Sequence, residues 1–255
     1  MNLTCDQSIA ATYKSKSQQA RVISEGWFGS NVYCLACNSD KLEKAKTNAA
    51  AWDFFCPYCG HNYEVKSING ELRKSLPDGA YKTMLERINS STSPTLCMLN
   101  RTMNWEVVAL TAVHSSFLVP FVIEKRNPLS KEAERADHVM CNIRLDRISS
   151  DALIPVIKNR VVVPKRQVRE DFQRFLRLSR KKVENRGWTI LTLSIVRKLN
   201  QAAFSLNDLC QYEREFAEVY PDNHHIRAKI RQQLQVLRDM GILAFVRRGE
   251  YKMLD

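Results

Sequence analysis

The chain has 255 residues, enough for one large domain or for a large and a small domain. Its 39 Lys and Arg residues outnumber its 27 Asp and Glu residues, and the net charge of +12 favours a polyanionic partner. The amino-terminal residues lack the apolar stretch of a signal peptide, and the longest apolar run, Phe117 to Ile123, is too short to span a bilayer. We therefore expect a cytoplasmic protein with no membrane partner, in which the eight cysteines are thiols or metal ligands rather than disulfides.

The first part of the chain alternates between helical and strand-like segments. A helix is predicted over Ala10 to Ile23, followed by an aromatic corner at Gly26 to Phe28, and a second helix is predicted over Gly79 to Ile88. Strand-like runs are predicted at residues 49–56, 62–67, 94–100, 105–113 and 116–123. Strands with helices between them, and no glycine-rich phosphate loop, predict an α/β sheet domain, which we assign to residues 1–183.

Two Cys-x-x-Cys pairs, Cys34 with Cys37 and Cys56 with Cys59, are separated by eighteen residues. This spacing is typical of a four-thiolate Zn²⁺ site, and four thiolates close the coordination shell, so the zinc is predicted to be structural. A redox role is the alternative, but two copies at this spacing disfavour it. The remaining cysteines have no partner at ligand spacing and are interpreted as core or incidental thiols: Cys5, Cys97, Cys141 and Cys210.

Three charged residues, Asp53, Glu64 and Lys66, flank the second cysteine pair. Glu64 and Lys66 share one face of a strand because strand side chains repeat every two residues, and Asp53 on the neighbouring strand can meet Glu64. Two carboxylates offer the hard oxygen ligands that Mg²⁺ prefers, and a lysine beside them can help to activate a water. We therefore predict that these three residues are catalytic in metal-assisted phosphodiester hydrolysis, with Mg²⁺ on Asp53 and Glu64.

Residues 156–183 carry ten basic and two acidic residues, and so eight of the twelve net charges. A run of this kind is a solvated helix face or, between two domains, a path for a phosphate backbone. The segment ends the sheet domain and is followed by a region in which apolar residues fall at helical spacing.

The last part of the chain has apolar residues at helical spacing. Helices are predicted at residues 188–200, 205–220 and 223–241, the second opened by Ser205 and the third closed by Gly241. A hairpin then turns at Arg248 to Glu250. This order predicts a winged-helix domain over residues 184–255, whose third helix enters the major groove of DNA. A small helical dimerisation module is the alternative.

The third helix separates an apolar stripe from a polar face. The stripe consists of Ile226, Ile230, Leu234 and Leu237. The polar face offers donors and acceptors that can read base edges around the small side chain of Ala228. On this face and in the hairpin, the residues assigned to DNA binding are His224, His225, Arg231, Gln232, Gln235, Arg247 and Arg248.

Motifs along nearly the whole chain carry a resemblance to known enzymes. They are ATYKSKSQQAR near the start, both cysteine pairs, DFFC and YEVKS around the carboxylates, DGAY at Asp78, CNI at Cys141, RGWTI at Arg186 and NHHIRAKIRQQLQVLRD at Asn223. Together they resemble the PD-(D/E)XK nuclease superfamily and, within it, the DpnI-like methyl-directed (type IIM) restriction endonucleases. The last motif is long enough to be specific, whereas Trp52 stands where the superfamily pattern has proline.

The resemblance implies a PD-(D/E)XK nuclease core with an embedded four-cysteine zinc site, joined to a C-terminal winged helix. It implies a Mg²⁺-dependent, site-specific deoxyribonuclease that cuts both strands of double-stranded DNA at GATC sites carrying N6-methyladenine. The catalytic triplet and the four cysteines keep the roles given above. The resemblance also leads us to expect a tryptophan where this chain has His138, at a place suited to contacting the methylated base, so His138 joins the DNA-binding residues.

Two other classes of protein compete with this interpretation. One is a zinc-ribbon, winged-helix transcriptional regulator without catalysis, and the other is an RNA-processing factor. Asp53, Glu64 and Lys66 distinguish the nuclease from these alternatives, because a regulator does not need a metal-binding carboxylate pair next to a lysine. We expect a monomer in solution, and double-stranded DNA with methylated adenine as the partner.

Overall fold

The computed structural model describes residues 1–46, 52–90, 93–128 and 138–254. The chain divides into two compact units. The first consists of Met1–Lys74, Thr83–Ser115 and Asp151–Gln173, and the second of Ser75–Lys82, Ser116–Ser150 and Arg174–Asp255. Among the described residues, no helix is both long and apolar enough to cross a membrane.

The described residues form eight α-helices and thirteen strands. The helices are α1 (Lys16–Asn31), α2 (Tyr81–Asn89), α3 (Lys165–Gln173), α4 (Leu176–Ser179), α5 (Val183–Leu199), α6 (Leu206–Cys210), α7 (Glu213–Val219) and α8 (Ile226–Asp239). The strands are β1 (Glu43–Lys44), β2 (Phe54–Phe55), β3 (Asn62–Asn69), β4 (Ser75–Ala80), β5 (Thr95–Arg101), β6 (Val107–Val113), β7 (Ile123–Lys125), β8 (Met140–Arg144), β9 (Leu153–Lys158), β10 (Val161–Val162), β11 (Ala203–Ser205), β12 (Leu243–Arg247) and β13 (Glu250–Met253). The mixed α/β class predicted from the sequence is confirmed.

The first unit is built on a seven-stranded mixed sheet in the order β1-β2-β3-β5-β6-β9-β10. β3 and β5 run parallel, with Glu64 opposite Leu96, and the other neighbouring strands described in this sheet run antiparallel. Residues 95–100 of β5 are all buried, as expected for a central strand covered on both faces. The strand that carries Glu64 and Lys66 therefore lies against the most buried part of the sheet.

The first helix differs from its prediction. α1 begins at Lys16 and continues through Gly26–Phe28, so the prediction of an aromatic corner is wrong. A Cβ atom at Gly26 would lie 2.5 Å from Ile9 Cδ1, and glycine therefore allows the preceding 3-10 turn to pack closely on the helix. Trp27 and Phe28 are buried, so the aromatic residues form part of the helix face that enters the core.

The apolar run at residues 116–123 also departs from its strand prediction. It forms 3-10 turns at Ser115–Phe117 and Pro120–Val122 and enters β7 at Ile123. Pro120 has no N–H to donate to a strand ladder, whereas Phe117, Leu118, Val119 and Val122 are buried without one. The other four predicted runs overlap β2, β3, β5 and β6, although residues 49–51 of the first run lie outside the described residues.

The second unit contains two three-stranded sheets, β4-β8-β7 and β11-β13-β12. The latter accompanies α5 to α8 in the order helix, strand, helices and hairpin, which is that of a winged helix. The predicted second helix is two short helices, α6 and α7. Ser205 caps α6 in a capping box with Asp208, and Gly241 follows α8 with a φ of +70°, as the helix signals predicted.

Trp188 forms the aromatic centre of this helical region. Its fully buried ring stacks on Tyr220 at 4.2 Å and on Phe216 at 5.7 Å between ring centroids. The preceding residue, Gly187, lies so near that an added Cβ would be 2.3 Å from the hydroxyl oxygen of Tyr220. The RGWTI motif therefore places a glycine where the stacked tyrosine leaves no room for a side chain.

We expect Gly187→Ala to lower the free energy of unfolding by about 1–3 kcal/mol, the usual cost of overpacking a buried site. Thermal or denaturant unfolding measures this loss. In the double variant Gly187→Ala with Tyr220→Phe, the nearest ring atom is 3.6 Å from the new Cβ, an ordinary contact, so stability should recover relative to the single alanine variant. An alanine variant as stable as the wild type would contradict the packing argument.

Candidate functional site

The hairpin formed by β2 and β3 positions two sets of functional side chains. Phe54 pairs with Tyr63, and the Asp53 N–H donates to the Tyr63 carbonyl at 2.9 Å. At the turn, the Gly60 N–H donates to the Cys56 carbonyl, and Gly60 has a φ of +72°, a conformation that favours glycine. The turn therefore holds the second cysteine pair, while Asp53 directly precedes β2 and Glu64 lies on β3.

The four predicted zinc ligands, Cys34, Cys37, Cys56 and Cys59, come together in the structure. Their sulfur atoms all lie within 4.8 Å of one another, and the Cys34–Cys59 and Cys37–Cys56 Sγ distances are both 3.6 Å. A tetrahedral shell with Zn–S bonds of about 2.3 Å has edges of about 3.8 Å. The four cysteines thus come together as the sequence predicted, and their geometry fits a zinc ion.

The thiol environments in this cluster differ. Burial would raise the pKa of Cys56, but hydrogen bonds from the backbone N–H groups of Cys59 and Tyr58 outweigh it and lower the pKa to about 7. Burial raises the pKa values of Cys34 and Cys59. Metal binding requires thiolates, so a bound cation would have to supply the charge that stabilises Cys34 and Cys59 as anions.

Tyr63 connects the zinc cluster to the strand with the charged residues. Its fully buried hydroxyl lies 3.2 Å from Cys34 Sγ and accepts a hydrogen bond from the Leu35 N–H at 2.9 Å. Glu64 is the next residue along β3. The first cysteine pair and the strand face that carries Glu64 and Lys66 are thus fixed relative to each other.

The catalytic triplet predicted from the sequence lines one cavity of about 340 Å³. Lys66 Nζ lies 2.8 Å from Glu64 Oε1, and the backbone N–H of Val65 donates to Asp53 Oδ2 at 2.8 Å. The side chains of Asp53 and Glu64 are 18% and 13% exposed. The structure therefore brings two largely buried carboxylates and an amine together.

Four more charged side chains belong to this site, and the sequence analysis did not identify them: Arg21, Glu25, Lys44 and Arg87. Arg21 and Glu25 pair across one turn of α1, and Arg87 reaches Glu64 from α2. The i, i+4 spacing of Arg21 and Glu25 is visible in the sequence, but nothing in that spacing marks Glu25 for a burial that leaves 5% of its side chain exposed. Three of these residues come from helices, and packing against the sheet brings them to the site.

The two predicted catalytic carboxylates have opposite pKa shifts. Burial raises the pKa of Asp53, and the nearby negative charges of Glu25 and Glu64 raise it further, whereas the Val65 N–H opposes this rise. Burial acts on Glu64 as well, but the positive charges of Lys66 and Arg87 outweigh it and lower the pKa of that carboxyl. Glu64 is therefore held as an anion, and Asp53 is the more readily protonated of the two.

The helical region presents the predicted DNA-binding residues on exposed positions. Arg231, Gln232 and Gln235 are exposed on α8, whereas His224 and His225 precede the helix, with His225 at its N-cap. A groove of about 430 Å³ is lined by side chains of α8 and the hairpin, among them Arg227, Arg231, Gln235, Arg247 and Arg248. Of the predicted apolar stripe, Ile230, Leu234 and Leu237 are buried and Ile226 is half-buried.

His138 is half-buried and lies two residues before β8. Residues 129–137, which include the first three residues of its RADHVMCNI segment, lie outside the described part of the chain. Its contact with a methylated base stays a prediction.

Part of the basic segment makes internal contacts. Arg169 donates to the carbonyl oxygens of Cys34 and Ser39 at 3.2 and 3.0 Å, and Lys165 pairs with Asp40 at 2.8 Å. Gln173 donates to a further carbonyl of the same loop. α3 therefore braces the loop of the first cysteine pair, and these two cations are engaged within the protein.

We expect the purified protein to contain one zinc ion per chain, and Cys59→Ser to lose most of it, because a serine hydroxyl is a poor substitute for a thiolate ligand. Elemental analysis and thermal unfolding should show loss of metal together with a lower melting temperature. Cys210→Ser, which removes a half-buried thiol outside the cluster, is the control and should keep both. A metal-free wild-type protein with unchanged stability would exclude a structural zinc.

Two family models match this chain. One, described as the Dam-replacing family, matches residues 1–181, and the other, described as the Dam-replacing HTH domain, matches residues 184–253. Together they cover nearly the whole sequence, and the second match spans α5 to β13. The region that the sequence predicted as a winged helix is thus a helix-turn-helix domain.

Proposed function

Because the chain belongs to the Dam-replacing (DpnI) family of methylation-dependent restriction endonucleases, we propose that it hydrolyses both strands of double-stranded DNA at GATC sites that carry N6-methyladenine. The observation that carries this proposal is the cavity in which Asp53, Glu64 and Lys66 meet, in a chain that also has a helix-turn-helix domain. The GATC sequence and its methylation are inferred from the resemblance of the motifs. The hydrolysis is inferred from the residues of the cavity.

We assign the mixed sheet to the PD-(D/E)XK architecture. The order of α1, the β2–β3 hairpin, α2 and the parallel strand β5 supports this assignment, because it places an aspartate before one hairpin strand and Glu-x-Lys on the other. We place the boundary between the nuclease domain and the winged helix after residue 183. The end of one family match at residue 181 and the start of the other at residue 184 support that boundary.

The donor set at the cavity fits a magnesium ion. Asp53 and Glu64 offer hard carboxylate oxygens, and Mg²⁺ sites of nucleic-acid enzymes commonly use one or two carboxylates together with water and substrate phosphate. The side chains are largely buried, yet the cavity is large enough to admit a phosphate group. Asp53 and Glu64 would hold the ion, which when bound supplies positive charge to the phosphate and lowers the pKa of a water.

Other residues of the chain position the attacking water, the Asp53 carboxylate and the strand that carries Glu64. Lys66 lies on the same strand face as Glu64, so its ammonium group is placed to orient the attacking water and to stabilise the charge that develops as its proton leaves. The Val65 N–H orients the Asp53 carboxylate from the backbone. The zinc cluster and Tyr63 fix the strand from which Glu64 and Lys66 project.

The exposed residues of α8 and of the β12–β13 hairpin are placed to recognise the DNA sequence. Arg231 is suited to guanine, and Gln232 and Gln235 are suited to adenine in the major groove. Arg247 and Arg248 flank the groove from the hairpin, where they can contact phosphates. The regulator and the RNA-processing factor are less favoured, because neither gives the buried triplet a task and the family match supports neither.

Lys66→Ala should abolish cleavage of a methylated plasmid while affinity for methylated duplex stays near that of the wild type, because the lysine serves the water rather than base recognition. Nicking assays and equilibrium binding at matched salt measure the two effects, since phosphate contacts weaken steeply as salt rises. Lys14→Ala, which removes an exposed lysine before α1, is the control and should cleave normally. An equally steep loss of affinity in Lys66→Ala would make the residue a phosphate anchor, and equal cleavage of unmethylated plasmid by the wild type would refute the proposed substrate.

His138→Trp should increase the ratio of cleavage rates on methylated over unmethylated GATC, and His138→Ala should decrease it. A larger aromatic ring gives an N-methyl group more apolar area, and stacking of a base on an aromatic ring contributes about 1–3 kcal/mol. Single-turnover rates on matched duplexes measure the ratio. If neither substitution changes it, His138 does not contact the base and the winged helix carries the methyl preference alone.

A further inference from the structure

Every carboxylate in the proposed active site already has a cationic partner. The network contains three carboxylates, Glu25, Asp53 and Glu64, and four cations, Arg21, Lys44, Lys66 and Arg87. Among the described residues, this network therefore has one more basic than acidic side chain. A divalent cation that enters must compete with side-chain cations for carboxylate oxygens.

Glu64 is where this competition is strongest. Its Oε1 lies 2.8 Å from Lys66 Nζ, and its Oε2 lies 2.5 Å from Arg87 Nη2, so both oxygens are engaged. The ion pair of Asp53 with Arg21 is weaker, because the two groups are 3.7 Å apart and Arg21 is 67% exposed. Release of one cation from Glu64 is thus the main electrostatic cost of binding a metal at this site.

Arg87 is better suited to be released than Lys66. Lys66 is held near Glu64 by the two-residue repeat of β3, whereas Arg87 reaches the carboxylate from α2 on a long side chain. The Nε atom of Arg87 is buried and has no hydrogen-bond partner among the described residues. A buried donor without an acceptor is unfavourable, so this pose does not satisfy the guanidinium fully.

We propose that Arg87 is exchanged between two anions: it neutralises Glu64 in the metal-free site and binds the scissile phosphate once a metal ion takes the Glu64 oxygen. Arg87 and Glu64 line the same cavity as Lys66, and a guanidinium can form two parallel hydrogen bonds to phosphate. Arg87 is then a catalytic residue of the proposed hydrolysis, with its positive charge present where negative charge develops on the phosphate. The inference rests on the proposed nuclease function.

The proposal is tested by two measurements on Arg87→Met. The variant should bind Mn²⁺ more tightly than the wild type and should cleave DNA more slowly. In the zinc-loaded full-length protein without DNA, Mn²⁺ affinity is measured by electron paramagnetic resonance of the free ion. It should increase by about tenfold, within the usual range for coupled binding equilibria. With saturating Mn²⁺ and methylated duplex, the single-turnover rate should fall by roughly 100-fold or more, as when a transition-state donor is removed.

Two matched variants complete the experiment. Lys82→Met removes an exposed positive charge from the same helix and should leave both quantities unchanged. Arg87→Lys keeps the charge and should restore Mn²⁺ affinity to near the wild-type value with partial recovery of the rate. Should Arg87→Met fail to fold, as judged by thermal unfolding, Arg87→Gln carries the same test because it is also neutral.

The outcomes test separately whether Arg87 competes with the metal for Glu64 and whether it contacts the phosphate. Unchanged or weaker Mn²⁺ binding by Arg87→Met overturns the competition for Glu64. Tighter Mn²⁺ binding with an unchanged single-turnover rate overturns the contact with phosphate and leaves Arg87 as a counter-ion alone. If the wild type cleaves no DNA, the proposed function and the phosphate contact fail together, whereas the Mn²⁺ titration still decides the competition.

Discussion

The hydrogen bonds of the buried Tyr63 hydroxyl join the zinc cluster to the proposed catalytic strand. This hydroxyl contacts Cys34 Sγ and the Leu35 N–H, while the carbonyl of the same residue accepts from the Asp53 N–H. Glu64 follows directly, so the positions of both carboxylates depend on the turn that the cysteines close. Two of the four predicted zinc ligands and the three charged residues share fourteen positions of the sequence, 53–66, because one hairpin holds the second cysteine pair at its turn and presents the charges beside its strands.

Charge compensation is the second constraint on this site. Carboxylates that are mostly removed from water are costly unless cations or N–H groups neutralise them. Glu25 and Glu64 are each paired with two cationic side chains. Asp53 instead accepts the Val65 N–H and has only a 3.7 Å ion pair with Arg21. The opposite pKa shifts of Asp53 and Glu64 follow from that difference rather than from a difference in burial. The described carboxylates thus have partners before any ligand binds, and a metal or phosphate must replace some of these contacts.

Short-range patterns in the sequence predicted the parts of the site that short-range geometry determines. The Cys-x-x-Cys spacing and the two-residue repeat of Glu64 and Lys66 are local, and the structure brings together the residues they indicated. Glu25 and Arg87 come from helices far from the hairpin in sequence, and only tertiary packing selects them from many similar residues. Residues 116–123 failed as a strand for a related reason: burial requires apolar side chains but does not require a strand.

The net charge of a sequence segment also does not reveal which contacts its charged residues make in the folded protein. The basic segment holds most of the excess charge of the chain, yet Lys165 and Arg169 contact Asp40 and carbonyl oxygens in the loop of the first cysteine pair. Those cations stabilise the loop that supplies two zinc ligands, so their positive charge is partly neutralised within the protein. In the helix-turn-helix region, by contrast, Arg231 and Arg248 line a groove that opens to solvent. Electrostatic attraction to DNA therefore depends on which cations the fold leaves exposed, and a count along the sequence cannot distinguish them.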